Sequence, residues 1–281
     1  MASNGHRGVE PPLLTDRDPP AVKIVNPAGR APYLFIGDHA GNVIPSSLQS
    51  LGLRESDLRR HIAWDIGVDG LGVALAEACD ATFVRQTYSR LVVDCNRDPG
   101  AMDAMPAISD ATIVSGNVAL SPEDRAARVA AVHEPYQRAI ADTLSRRDGA
   151  GQETILISLH SFTPALADGT PRPWEIGVLH DGGDPSFALA LLARLRREPD
   201  LTVGDNAPYR MDAVDYTVPR HAYASRRLYA ELEIRQDLLG DALAQLRWTT
   251  LLVDVLSTAL QDVAGPITDP GFDRDRQRSG R

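Results

Sequence analysis

An apolar run, Tyr33-Leu-Phe-Ile-Gly37, stops at the pair Asp38-His39 and opens into an Ala-Gly-Asn loop. A second run, Thr154-Ile-Leu-Ile-Ser-Leu-His160, ends on a histidine in the same way. Short apolar runs without regular polar alternation belong to strands buried on both faces, and such strands require a sheet covered on each side by helices. In an open sheet of this kind ligands bind where the strands end, because the loops there converge on a crevice. Two histidines delivered to that edge are the first candidates for chemistry.

The rest of the chain alternates in the same sense. Apolar residues at helical spacing over Trp64 to Cys79 predict a helix, and strands are expected over Thr82 to Gln86 and Arg90 to Asp94. Ser121-Pro-Glu-Asp124 is a helix start, with serine as N-cap, proline in the first turn and acids facing the helix dipole; that helix is expected to run to Arg147. Strands at Ile176 to Leu179, near Leu201 and at Leu228 to Arg235 follow, with helices over 185–197 and 240–262. Residues 96–120 are rich in Gly, Pro, Asp and Met without periodicity, which suits a binding loop or a lid. The expectation is one α/β domain over 31–264. A proline-rich arm, 1–30, precedes it as a tail or as cover for a sheet edge, and a polar tail, 265–281, expected to be disordered, follows it.

Composition removes several functions. A net charge of -9 and a pI near 5.2 argue against a nucleic-acid partner, which needs clustered cations. No apolar run reaches the roughly 18 residues of a membrane span, and no secretory apolar segment opens the chain, so the expected location is the cytoplasm, with no membrane partner. Cys79 and Cys95 form no CxxC pair and read as buried thiols in a reducing compartment. Lys23 is the only lysine and lies in the N-terminal region, which leaves no P-loop or Schiff-base lysine for an active site, and no G-x-S-x-G, H-E-x-x-H or G-x-G-x-x-G pattern occurs.

Two imidazoles and one carboxylate at a sheet edge make a catalytic zinc constellation with a fourth position open to water. His39 and His160 supply the imidazoles, and Asp65 is the candidate carboxylate; each also reads as an ordinary hydrogen-bonded loop residue, and Asp65 as a helix cap. Over Glu231-Leu-Glu-Ile-Arg235 a period of two puts Glu231, Glu233 and Arg235 on one face, either lining a cleft or facing water from an edge strand. Arg90 and Arg97 bracket an apolar stretch, and their planar forks suit either a substrate carboxylate or a structural ion pair. His221, in Val218-Pro-Arg-His221, reaches either the site or the surface.

Taken together, Asp38-His-Ala-Gly-Asn42, His61-Ile-Ala-Trp-Asp-Ile-Gly67, Tyr88-Ser-Arg-Leu-Val-Val-Asp-Cys-Asn-Arg97, Leu159-His-Ser-Phe-Thr-Pro164, Arg172-Pro-Trp174 and Glu233-Ile-Arg-Gln-Asp-Leu238 resemble the N-formylglutamate amidohydrolase family. The resemblance implies a phosphorylase/hydrolase-like, zinc carboxypeptidase-like fold around a mixed, mostly parallel sheet. It implies Zn2+ or another divalent metal on His39, Asp65 and His160, and Glu233 as general base. It also implies a small acidic N-acyl amino acid as substrate, N-formyl-L-glutamate first, held by Arg90, Asn96, Arg97, Ser161, His221 and Arg235. One departure stands out: Asn42, not glutamate, lies three residues after His39, so the carboxylate ligand must come from elsewhere. Other N-acyl amino acids or peptide-like amides, and a non-catalytic protein holding an acidic ligand, remain alternatives; the oligomeric state is open.

Overall fold

The computed structural model describes residues 12–165 and 169–264. In chain order its strands are β1 (Val22–Val25), β2 (Tyr33–Gly37), β3 (Thr82–Gln86), β4 (Ile108–Ser109), β5 (Thr112–Ile113), β6 (Ile155–Phe162), β7 (Ile176–Leu179), β8 (Val203–Asp205) and β9 (Tyr229–Arg235). Its helices are α1 (Glu55–Leu58), α2 (Val68–Cys79), α3 (Pro122–Arg128), α4 (Glu134–Gly149), α5 (Ser186–Leu195) and α6 (Ala242–Ala264). Seven strands form one mixed sheet in the order β1-β3-β2-β6-β9-β7-β8, while β4 and β5 make a separate hairpin. From β3 through β2 and β6 to β9 the strands are parallel; β1 and β7 pair antiparallel with β3 and β9.

The pleat explains both where the core lies and where polar chemistry collects. Tyr33, Phe35, Ile157, Leu159, Ala230, Leu232 and Ile234 pack against α2, α5 and α6 on one side. Leu34, Ile36, Leu156 and Tyr229 face the other, under α4 and the loops. Each side chain fully buried in this way stabilises the fold by roughly 1.5–3 kcal/mol. On the second side the apolar residues give way to Asp38, Ser158, His160, Glu231 and Glu233, with Ser158 opposite Glu231 and His160 opposite Glu233. One face of the parallel strands therefore changes from core to site along its length.

Four features differ from the sequence expectation. A strand not expected inside the proline-rich arm, β1, pairs along β3, so the arm covers that edge of the sheet, as one of its two readings has it. Residues 90–94 form no strand, since their amides bond to loops, Arg90 N to Ala63 O at 3.1 Å and Asp94 N to Ala104 O at 2.7 Å. Leu91, Val92 and Val93 are buried against the layer under α4, and burial on every side imitates a strand in the sequence. Helix α2 begins at Val68 because Gly67 takes φ +88 and turns the chain first, which keeps Asp65 out of the helix. The helix from Ser121 is interrupted by a π-helical turn, Val129–His133, between α3 and α4. Among the described residues no helix is long and apolar enough to cross a membrane. Cys79 and Cys95 are free thiols, and the expected tail from 265 lies outside the described residues.

Candidate active site

Where β2 ends, Asp38 and His39 enter the layer beneath α4, both buried. The loop beyond His39 presses against the segment after β3: a Cβ on Gly41 would run into the Thr87 carbonyl, and Ser89 N donates to Val43 O at 2.8 Å. Asn42 is spent on this loop, its Nδ2 donating to Leu58 O at 3.3 Å. Asp65 is tied to His39 itself, since Asp65 N donates to His39 O at 2.9 Å. Gly67, not Asp65, is the N-cap of α2, and the Asp65 carboxylate instead accepts from Ser161 N at 3.3 Å.

The two histidines are arranged alike. His39 directs Nε2 to Asp94 Oδ1 at 2.7 Å, and His160 directs Nε2 to Ser158 Oγ at 3.0 Å and Asp38 Oδ2 at 3.3 Å. Their Nδ1 atoms converge on Asp65 Oδ2, at 3.4 Å from His39 and 2.9 Å from His160. One ligand atom from each of His39, Asp65 and His160 lies within 4.8 Å of the others. A histidine whose far nitrogen is held by a carboxylate presents its near nitrogen as a metal ligand, with tautomer and ring orientation fixed. His39 Nδ1 is buried without a hydrogen-bond partner, a condition costing roughly 1–3 kcal/mol unless something fills it. Donor set and orphaned nitrogen both fit a divalent metal ion.

Charge follows the same geometry. Burial opposes ionisation of Asp65, yet His39 and His160 hold its pKa below the ordinary value. Burial also opposes a charge on His39, which Asp94 and Asp65 outweigh, so its pKa is raised. For Glu233 and Glu231 burial is the largest influence and outweighs the pull of His160, lifting them to about 7 and about 8. Each has an Oε2 atom with no partner. Strand β9 lies between β6 and β7, so its acids line a cleft and do not face water from an edge.

His39, Asp65 and His160 open on a cavity of about 310 Å³ that is also lined by Glu233, Arg90, Asn96, Arg97 and Ser161. Arg90 is an ion-pair partner as well as a lining residue, with Nη2 2.7 Å from Asp94 Oδ2 and Nη1 3.5 Å from Asp65 Oδ1. Arg97 pairs with Asp103 at 3.3 Å and Asp215 at 3.8 Å. The Asn96 amide is committed to protein, accepting from Tyr216 N and Thr217 N, each at 2.9 Å. His221 and Arg235 do not line the cavity. His221 Nε2 lies 2.8 Å from Gln137 Oε1 behind it, where burial pushes its pKa down to about 4, and Arg235 pairs with Asp237 at 2.8 Å.

Several lining residues had not been singled out as site residues in the sequence. His61 sits between this cavity and a neighbouring one of about 240 Å³, whose wall includes Pro106 and Ser109 of the 96–120 segment. Tyr209, Arg210, Asp212 and Asp215 come from a stretch without periodicity and line the same cavity. Asp38 and Asp94 stand in the quoted motifs, but only the fold reveals them behind the histidines.

Residues 31–240 match the family model described as N-formylglutamate amidohydrolase. An N-formylglutamate deformylase of Pseudomonas aeruginosa is 28% identical over 182 residues, 59% of this chain and 66% of that protein, so the chain spans just under two thirds of this relative. A crystal structure of a gene product from Agrobacterium tumefaciens matches with a TM-score of 0.86 at 35% identity, covering 90% of this chain and 100% of that one. The fold is shared with the N-formylglutamate amidohydrolase of Ralstonia eutropha JMP134, with a TM-score of 0.66 at 19% identity over 85% of this chain and 98% of that one. With three quarters of its length inside the family model, from β2 to the turn before α6, the chain belongs to the N-formylglutamate amidohydrolase family.

Proposed function

We propose that this protein is a metal-dependent amide hydrolase that converts N-formyl-L-glutamate to L-glutamate and formate. The observation that carries the reading is the meeting, in one cavity, of the His39, Asp65 and His160 ligand atoms with the unpartnered Glu233 carboxylate oxygen. Zinc is the ion expected from the donor set, although another divalent metal would suit the same three atoms. When bound it supplies Lewis-acid polarisation of the carbonyl and lowers the pKa of water toward about 7.

The protein's own residues then divide the remaining work. Glu233 removes a proton from the attacking water and delivers it to the leaving nitrogen, a contribution of roughly 10²–10⁴-fold. Its place opposite His160 in the ladder sets it beside the ligands, and burial keeps it near the proton affinity such a role requires. Arg90, fixed by Asp65 and Asp94, faces negative charge developing on the carbonyl oxygen. Substrate carboxylates fall to Arg97 and Arg210. Arg97 has only looser ion pairs, and among the described residues Arg210 lines the cavity with no carboxylate partner. Asn96 serves by holding the stretch at Tyr216 and Thr217, and Ser161 by bonding Asp65 through its backbone amide.

The names of the Pseudomonas and Ralstonia relatives favour the formyl substrate. The test is metal analysis of the purified protein followed by formate release from N-formyl-L-glutamate, with and without a chelator. We expect bound zinc, formate release, its loss with chelator and its return with zinc. Release that ignores the chelator sinks the metal; metal without release, but with hydrolysis of N-acetyl-L-glutamate, sinks the formyl substrate. An acidic ligand bound and never hydrolysed would leave a binding protein on the same fold.

A further inference from the structure

We infer that Thr217 is a positioning residue for both histidines of the candidate metal centre, an inference that rests on the metal-dependent reading above. Thr217 is fully buried, just ahead of the helical turn Pro219–Tyr223, and far in sequence from every proposed ligand. Its hydroxyl donates to Asp38 Oδ1 at 2.6 Å. The other oxygen of that carboxylate, Oδ2, accepts from Ser158 Oγ at 3.1 Å and faces His160 Nε2 at 3.3 Å. Its backbone N donates to Asn96 Oδ1 at 2.9 Å, and Asn96 N donates to Asp94 Oδ1 at 2.9 Å, the same oxygen that meets His39 Nε2. The carboxylates behind the two histidines are thus fastened to one residue, one through its hydroxyl and the other through its amide and Asn96.

The direction of the hydroxyl proton follows from its neighbours. Gln137 Nε2 donates to Thr217 Oγ1 at 3.1 Å and fills an acceptor site on that oxygen. The Cys95 carbonyl, at 3.2 Å, competes for the proton with the charged Asp38 oxygen at 2.6 Å; a charged acceptor at shorter range wins. Without the hydroxyl, Asp38 loses the contact that aims its second oxygen at His160. Removing such an outer partner typically weakens metal binding about 10–100-fold. Thr217 also ends the segment that carries Asp212 and Asp215, so the cavity wall and the two histidines share one anchor.

The test compares zinc dissociation constants, by competition with a chromophoric chelator, for wild type, T217V, T217A and T217S, alongside the melting temperatures of the metal-free proteins. T217V and T217A should bind zinc about 10–100-fold more weakly. T217S, which restores the hydroxyl, should bind as wild type does. A purely structural role would lower the melting temperature and leave zinc affinity unchanged. Wild-type affinity in folded T217V or T217A overturns the inference. So does T217S binding as weakly as the hydroxyl-free variants, a result readable even if T217V fails to fold. A wild-type protein that takes up neither zinc nor another divalent metal overturns the metal reading, and this inference with it.

Discussion

Glu233 and Arg210 are the two residues whose removal best separates chemistry from recognition. Glu233 occupies the ladder position opposite His160 and keeps a carboxylate oxygen free of protein partners. E233Q preserves its shape and removes its basicity, so kcat should fall by roughly 10²–10⁴-fold while metal content by elemental analysis stays at the wild-type level. Turnover that survives the change would place the base elsewhere. Arg210 has the opposite profile, since it lines the cavity as a cation with no carboxylate partner among the described residues. R210A should raise KM for N-formyl-L-glutamate more than for N-formyl-L-leucine, with little change in kcat, because what is lost is uniform binding of a charge. Equal effects on both substrates would remove Arg210 from carboxylate recognition.

At the scale of elements, the site depends on where strands stop and loops touch. Gly41 makes such an approach against the Thr87 carbonyl, and the loop it carries begins at His39. G41A should force that loop away from Thr87, lowering stability by about 1–3 kcal/mol as overpacking does, and should displace His39 enough to weaken activity. Denaturant midpoints and formate release measure the two effects. The elements themselves were legible where apolar runs were unbroken: β2 and β3 lie where their runs predict and His39 follows the end of β2, but His160 lies inside β6, which continues to Phe162 instead of ending at the histidine. Residues 90–94 misled because an apolar stretch buried in loops has the same pattern as a buried strand. β1 was hidden among prolines because a four-residue edge strand contributes too few apolar positions to show a period. The carboxylates behind the histidines and the wall at 209–215 depend on register and on loop path, which no local pattern encodes.

For the molecule as a whole, the buried network behind the cavity makes stability depend on acidity. Burial pushes His221 down to about 4 from an ordinary 6.5, so the folded protein holds it neutral while the unfolded chain protonates it near 6.5. The unfolded state therefore binds more protons between those values, and stability falls as pH drops from 6.5 toward 4. H221Q keeps a donor toward Gln137 and cannot titrate, so its unfolding free energy should decline less steeply over this range than that of wild type. Equal slopes would show that other groups set the dependence. The ligand positions also have a bearing on synthesis. His39, Asp65 and His160 come from the end of β2, the turn before α2 and the middle of the sheet, so a chain still on the ribosome has no complete triad until β6 has joined β2. An ion held by all three is consequently captured only once β6 stands beside β2 and brings His160 to His39.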